Sequence, residues 1–162
     1  MSDAERQPEV SIVGYDDRFA DAFDRLNREW LERYFTVEDL DRKYIEHPRE
    51  SIVETGGEIF FALVGDEVVG TCAAIRLDAE TVELAKLSVT ERAQGHGIGR
   101  RLSEAVVEWA RATGARRVVL VSSTKLEPAL RLYEKLGFHY APLPADPGYS
   151  TADIYMELSL DT

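Results

Sequence analysis

The sequence predicts a mixed α/β domain: a largely antiparallel sheet with one parallel strand pair, flanked by helices. Three observations carry this. Strand-like runs at residues 58–64, 68–77 and 81–89 are joined by Gly65-Asp66-Glu67 and Asp78-Ala79-Glu80, connections short enough for hairpins. The apolar run at residues 118–121 is separated from the strand ending at Val89 by a whole amphipathic helix, which calls for a crossover and hence a parallel neighbour. Between that strand and that helix lies a turn with glycine at three alternate positions, Gly95, Gly97 and Gly99.

The elements follow in order. Residues 10–13 read as a first strand. Over residues 16–34 the apolar side chains Phe19, Phe23, Leu26, Trp30 and Tyr34 recur at three- and four-residue spacing, the mark of an amphipathic helix. A second helix over residues 38–46 stops before Pro48, and residues 51–54 extend that helical region or form a short turn before Gly56-Gly57. After the three-stranded meander, the helix at residues 98–113 buries Ile98, Leu102, Val106 and Trp109, and Gly114 ends it. A helix between about residues 124 and 136 carries a Thr124/Glu127 capping-box pattern, Pro128 in its first turn and Gly137 after its end. Strands at residues 138–141 and 153–160 close the chain, with a Pro/Gly-rich loop at residues 142–150 between them.

Length and charge bound the function. A chain of 162 residues suits one domain with a substantial core, over residues 1–162 with its folded part at about 10–160. The charged start of the chain and the lack of an 18-residue apolar run predict a cytoplasmic protein. A net charge of −11 argues against partners such as nucleic acid or an anionic membrane. Between Lys86 and Arg117, however, basic residues outnumber acidic ones seven to three, a basic island around the glycine turn that suits a polyphosphate. The lone Cys72 sits in an apolar run and reads as strand core. The three histidines are scattered, with His96 in the turn, so no metal site is expected.

Glycines at alternate positions remove Cβ atoms from the turn and let its N–H groups converge on an anion at the start of the next helix. A nucleoside-triphosphate loop would need Gly-Lys-Ser/Thr, and here Gly99 is followed by Arg100. A dinucleotide fingerprint would need a third glycine where Arg100 stands, and an acidic residue where the chain near Leu120 is apolar. What remains is Gln94-x-x-Gly97-x-Gly99 between a strand and a helix.

At this point the chain resembles the GNAT superfamily of acyl-CoA-dependent N-acetyltransferases, whose Gln/Arg-x-x-Gly-x-Gly/Ala signature cradles the coenzyme pyrophosphate. A second segment, Leu132-Tyr133-Glu134-Lys135-Leu136-Gly137-Phe138, resembles the helix-to-strand segment that closes the site in that family. The resemblance implies that the strand before the turn splays from its parallel neighbour. Acetyl-CoA, as cosubstrate, is then held by the backbone of Leu87, Ser88 and Val89 and by Gln94, Gly95, His96, Gly97, Ile98, Gly99 and Arg100. Ser123 stands near the position of a family asparagine, and a hydroxyl replaces only part of an amide's paired donor and acceptor.

Two side chains are candidates for proton transfer. Glu83 lies eleven residues before Gln94, where some family members carry a catalytic glutamate, and strand alternation places it on one face with Ala85, Leu87 and Val89. A general base and a salt-bridged or edge-exposed carboxylate are the two readings. Alternation sends Lys86 to the other face, solvated or ion-paired. Tyr133 corresponds to a tyrosine that family members place near the coenzyme sulfur, and a phenol suits a departing thiolate, with a packed tyrosine of the Leu126/Leu130/Leu136 stripe as the alternative.

The expected acceptor is a small-molecule or amino-acid-like primary amine, entering against Trp30, Tyr34, Phe35 and residues 142–149, with Glu29, Glu32 and Glu38 as candidate anions. A protein lysine or N-terminal acetyltransferase and a catalytically silent acyl-CoA-binding module are the alternatives. A homodimer is left open.

Overall fold

A computed structural model describes residues 9–161. Its sheet has seven strands: β1 (Val10–Val13), β2 (Glu58–Val64), β3 (Glu67–Arg76), β4 (Thr81–Val89), β5 (Arg117–Ser122), β6 (His139–Ala141) and β7 (Ile154–Ser159). Their spatial order is β1-β2-β3-β4-β5-β7-β6. All neighbours are antiparallel except β4 and β5, which are parallel, as the crossover predicts. The last strand inserts between β5 and β6, an order that local spacing does not reveal.

Four α-helices cover the sheet: α1 (Ala20–Tyr34), α2 (Asp39–Glu46), α3 (Ile98–Ala112) and α4 (Glu127–Lys135). The first predicted helix begins as a 3-10 turn, Asp17–Phe19, with Asp16 accepting from the Arg18 N–H. The segment after Pro48 is a π-turn, Arg49–Val53. Two cores result. Phe23, Ile45, Ile52, Phe61, Ala73 and Ile75 pack on the α1/α2 face, whereas Cys72, Leu84, Leu102, Val106, Leu120 and Tyr133 pack on the α3/α4 face. Among the described residues no helix is long and apolar enough to cross a membrane.

The capping box expected at Thr124/Glu127 does not form. Helix α4 starts at Glu127, and the Thr124 N–H and hydroxyl instead donate to Asp153 at 2.9 Å each. A charged acceptor 29 residues downstream outcompetes the local one, and it ties the end of β5 to the start of β7. A reciprocal cap forms at α2 instead, where Glu38 accepts from the backbone of Asp41 and Asp41 accepts from the Glu38 N–H at 2.9 Å.

Two features of β3 and β4 place the site. Gly70 sits under α3, and a Cβ there would lie 3.1 Å from Leu102 Cδ1 and 3.3 Å from Ile98 Cγ2. Its bare backbone lets the start of α3 come close to the sheet. On β4, Ala85 pairs with Ala73 while Ser88 pairs with Thr71, so β4 carries one residue more than its partner and bulges at Lys86, whose φ is +56°. We expect Gly70→Val to push α3 outward and cost about 1–3 kcal/mol. A urea midpoint equal to that of the unaltered chain would show that α3 does not rest on Gly70.

Candidate functional site

The β4–β5 ladder is short. Thr81, Val82 and Glu83 pair with Arg117, Val118 and Val119, and the parallel pairing ends there. Strand β5 continues in register with β7 as far as Ser122, while β4 bends at the Lys86 bulge, so the two strands splay. A cleft of about 660 Å³ fills the gap. It runs from the glycine turn and the start of α4, between the strand ends, to the side of the sheet covered by α1 and α2.

At its first end, Gly95 (φ +85°) and Gly97 (φ +76°) take the left-handed backbone that favours glycine, although a Cβ at either would meet nothing within 4 Å. Conformation, and not crowding, therefore demands glycine there. Among the described residues, the N–H groups from Gly95 to Arg100 find no backbone acceptor, and α3 has no side-chain cap. These donors and the helix dipole form an anion-binding nest. Gln94 plays a different part from its neighbours, since its side-chain Nε2 donates to the Val89 carbonyl at 3.1 Å and its backbone N–H to Glu91 at 3.2 Å. It holds the turn closed on the strand.

The basic island does not aim at this nest as its composition suggests. Arg92 pairs with Glu67, Arg100 lies 3.7 Å from Glu104, and Arg101 donates to the Val10 carbonyl at 2.9 Å. Arg111, Arg116 and Arg117 pair with carboxylates near their own strands and helix. Backbone donors, not arginines, line this end of the cleft among the described residues.

Leu87, Val89, Gln94, Gly95, Gly97, Ile98, Gly99, Ser123, Tyr133 and Glu83 line the cleft, whereas Ser88, His96 and Arg100 do not. The Ser88 hydroxyl turns away and donates to the Leu26 carbonyl at 2.9 Å, pinning α1 to β4. His96 and Arg100 are exposed. Ser123 is buried, and its Oγ accepts from the Lys125 N–H at 3.2 Å.

Tyr133 is 6% exposed and packs edge-on against Phe138, with ring centroids 5.9 Å apart. Its hydroxyl finds no protein partner and opens to the cleft. Burial raises its pKa, so the phenol is protonated at neutral pH.

The bulge corrects the expected arrangement of β4. Glu83 and Ala85 pair with Ile75 and Ala73 on the α1/α2 face. Leu87 and Val89 instead pack on the α3/α4 face, because the extra residue shifts the alternation by one. Lys86 consequently shares a face with Glu83 instead of opposing it. Its ammonium pairs with Asp41 of α2, and both side chains are buried, at 7% and 2% exposure. The Lys86 Nζ also lies 4.8 Å from the centroid of the Tyr149 ring.

Glu83 has no hydrogen-bond partner among the described residues, and its carboxylate opens to the cleft. Desolvation pushes its pKa up to about 7, against a smaller downward pull from Lys86. Of the expected acceptor-side residues, Trp30, Tyr34, Phe35, Glu38 and Tyr149 line this end, while Glu29 and Glu32 do not. Asp41, Asn27 and Lys86 line it as well and were not expected there. Asp41 carries a sequence signal, as the third residue of a capping box opened by Glu38, but Lys86 carries none. No group of three or more metal-ligating side chains occurs among the described residues.

An anion nest and an unpartnered carboxylate at opposite ends of a splayed strand pair define a group-transfer cleft. Comparison with known proteins gives the class its name. The model of the Acetyltransferase (GNAT) family matches residues 25–138, and the chain belongs to that family. It is 39% identical over 85 residues to the N-acetylaspartate synthetase of Danio rerio, covering 52% of this chain and only 30% of that protein's length. A GNAT-family acetyltransferase from Staphylococcus aureus shares the fold with a TM-score of 0.85 at 19% identity, over 94% of this chain and 100% of that one. So does a GNAT superfamily phosphinothricin acetyltransferase from Sinorhizobium meliloti, solved in complex with AcCoA, with a TM-score of 0.75 at 18% identity over 93% and 88% of the two chains.

Glu83 gives a test of the site's electrostatics. A carboxyl whose pKa is raised in the folded state stabilises the fold below its unfolded pKa and loses that contribution as pH rises through about 7. Glu83→Gln should therefore leave stability nearly unchanged near pH 4 and raise it at pH 8.5, by at most about 3 kcal/mol, the gain developing between about pH 4.5 and 7. A loss of stability at pH 8.5 in denaturant titrations would mean that the carboxylate is satisfied in the fold.

Proposed function

We propose that the chain transfers the acetyl group of acetyl-CoA to the primary amine of a small-molecule or amino-acid-like acceptor by direct attack, with residues 10–160 acting as one acetyltransferase unit. The observation that carries this reading is the cleft itself, which runs from a phosphate-sized nest of N–H groups on one side of the sheet to an unpartnered carboxylate on the other. Family membership and the AcCoA bound to the Sinorhizobium meliloti enzyme support acetyl-CoA as the donor.

The residues present fit that coenzyme. The donors from Gly95 to Arg100 suit its pyrophosphate, and the backbone of β4 beyond Glu83, freed from β5 pairing, suits an amide-bearing arm and a thioester carbonyl. The bound thioester supplies an activated acyl carbon. Glu83, ionised above about pH 7, takes a proton from the incoming ammonium so that the neutral nitrogen can attack that carbon. The new C–N bond replaces the C–S bond, and the electron pair leaves with the sulfur. Tyr133, held protonated by burial, gives its proton to the thiolate and recovers one from the second N–H proton shed by the acylated nitrogen. One proton in total passes to solvent through Glu83.

Two alternatives are weaker. A silent binding module has no use for a desolvated, unpartnered Glu83, which costs stability above neutral pH. A protein-directed enzyme needs an open groove, whereas the loop between β6 and β7 covers part of the acceptor end, with the Ser150 N–H donating to Glu38 at 3.1 Å and Lys86 Nζ over the Tyr149 ring.

Gly97→Val introduces a β-branched residue at φ +76° and should weaken acetyl-CoA binding by several kcal/mol, on the order of two or three charge-assisted hydrogen bonds. Unchanged affinity by isothermal titration in a folded variant would remove the pyrophosphate from this turn. Tyr133→Phe should lower turnover roughly tenfold to a thousandfold with little change in melting temperature. Normal turnover would leave Tyr133 a packing residue.

A further inference from the structure

The acceptor end of the cleft has an uneven charge inventory. Its carboxylates are Glu38, Asp41 and Glu83, and its one buried cation is Lys86. Asp41 already neutralises that cation, with both groups out of solvent. Glu38 is bonded to two backbone N–H groups, of Asp41 and Ser150, which orient it but leave its charge uncompensated. Glu83 has no partner at all among the described residues and faces the cleft. No arginine or histidine lines the cleft among those residues. The other lining cation, Lys125, is exposed at the mouth, 5.5 Å from the Phe35 ring centroid, where water screens it.

Much of the rest of this end is aromatic. Trp30, Tyr34 and Phe35 form a cluster of tilted rings, with the Tyr34 and Phe35 centroids 5.4 and 5.6 Å from that of Trp30, and Tyr149 on the β6–β7 loop lines the same end. Ring faces and carboxylates both favour a cation, and neither offers anything to a carboxylate.

We propose that this end accepts a cationic amine carried on an apolar or aromatic body and turns away amines that bear a carboxylate, because the Lys86–Asp41 pair leaves no buried cation to receive one. The inference rests on the small-amine reading above and narrows it. Lys86, brought to this face by the β4 bulge, sets specificity by being occupied. An ammonium docked between Glu83 and the aromatic group also lies beside the carboxylate that must deprotonate it. An acceptor with an α-carboxylate places a second charge of the wrong sign among groups that cannot compensate it.

Matched acceptors test this. Coenzyme A release is followed with the unaltered chain for tyramine against tyrosine, phenethylamine against phenylalanine and agmatine against arginine, with aspartate as a dicarboxylate. We expect kcat/KM for each amine to exceed that of its amino acid by tenfold or more, with aspartate inert. Parity within the pairs, or turnover of aspartate, would overturn the inference while leaving acetyl transfer to small amines standing. No turnover of any amine or amino acid by a chain that binds acetyl-CoA would overturn the small-amine reading and the inference with it. Asp41→Asn removes the counter-charge of Lys86 while keeping an oxygen for the Glu38 N–H, and it should narrow the amine-to-amino-acid ratio. A folded Asp41→Asn protein with an unchanged ratio would show that the pair does not set the preference.

Discussion

The site depends on where one hydrogen-bonded ladder stops. Strands β4 and β5 are parallel neighbours for three residue pairs and part after Glu83 and Val119. Both strands continue, so each presents unpaired backbone groups to the gap, and such groups need water or a ligand. Different causes hold the two strands apart. Strand β5 is committed to β7 by six consecutive pairs, extended by Asp153 capping the turn at Thr124. Strand β4 is committed to β3 but gains a residue at Lys86, and a bulge bends and twists the strand that carries it. A ladder of ordinary length would have sealed the cleft.

The bulge also decides which side chains reach which side of the cleft. Without it, Glu83, Leu87 and Val89 would share a face and Lys86 would oppose them. With it, Leu87 and Val89 face the α3/α4 core beside Tyr133, while Glu83 and Lys86 face α1 and α2. The sheet thereby separates the Tyr133 hydroxyl on one side from the Glu83 carboxylate on the other, with the splay opening between them. A positive φ at a lysine costs about 1–2 kcal/mol, and the turn it makes brings the ammonium onto the buried carboxylate of Asp41. That pair is itself a constraint, since losing either partner strands a charge in the interior.

Much of this was legible in the sequence because it rests on local rules. Spacing of apolar residues gave the helices, short Gly/Asp connections gave the meander, and the glycines at 95, 97 and 99 gave the nest, two of them through a backbone conformation that few other residues adopt. What was missed is non-local or has no residue-type signal. A bulge on a glycine would have been suspected, but on Lys86 nothing marks it. The Thr124/Glu127 pattern is a valid local cap that lost to Asp153, a competitor that only the β5–β7 pairing brings near. The basic island misled for the same reason. Composition counts charges, whereas the fold spends the arginines on carboxylates from other elements and leaves the anion site to backbone donors.

That division of labour separates stability from function along the chain. The surface arginines are solvent-screened and contribute little individually to stability. Among the described residues, the groups at the cleft without a protein partner include, besides the freed strand backbone, the N–H groups before and within the first turn of α3, the Tyr133 hydroxyl and the Glu83 carboxylate. No buried side-chain nitrogen or oxygen lacks a partner among the described residues, so the free groups are those that reach the open cleft, where a ligand can meet them. Along the cleft they lie in order: the N–H groups of the glycine turn, the Tyr133 hydroxyl beside the splay, and the Glu83 carboxylate at the far side of the sheet. The fold carries their cost in the absence of substrate, most visibly at Glu83, whose burial works against its own charge.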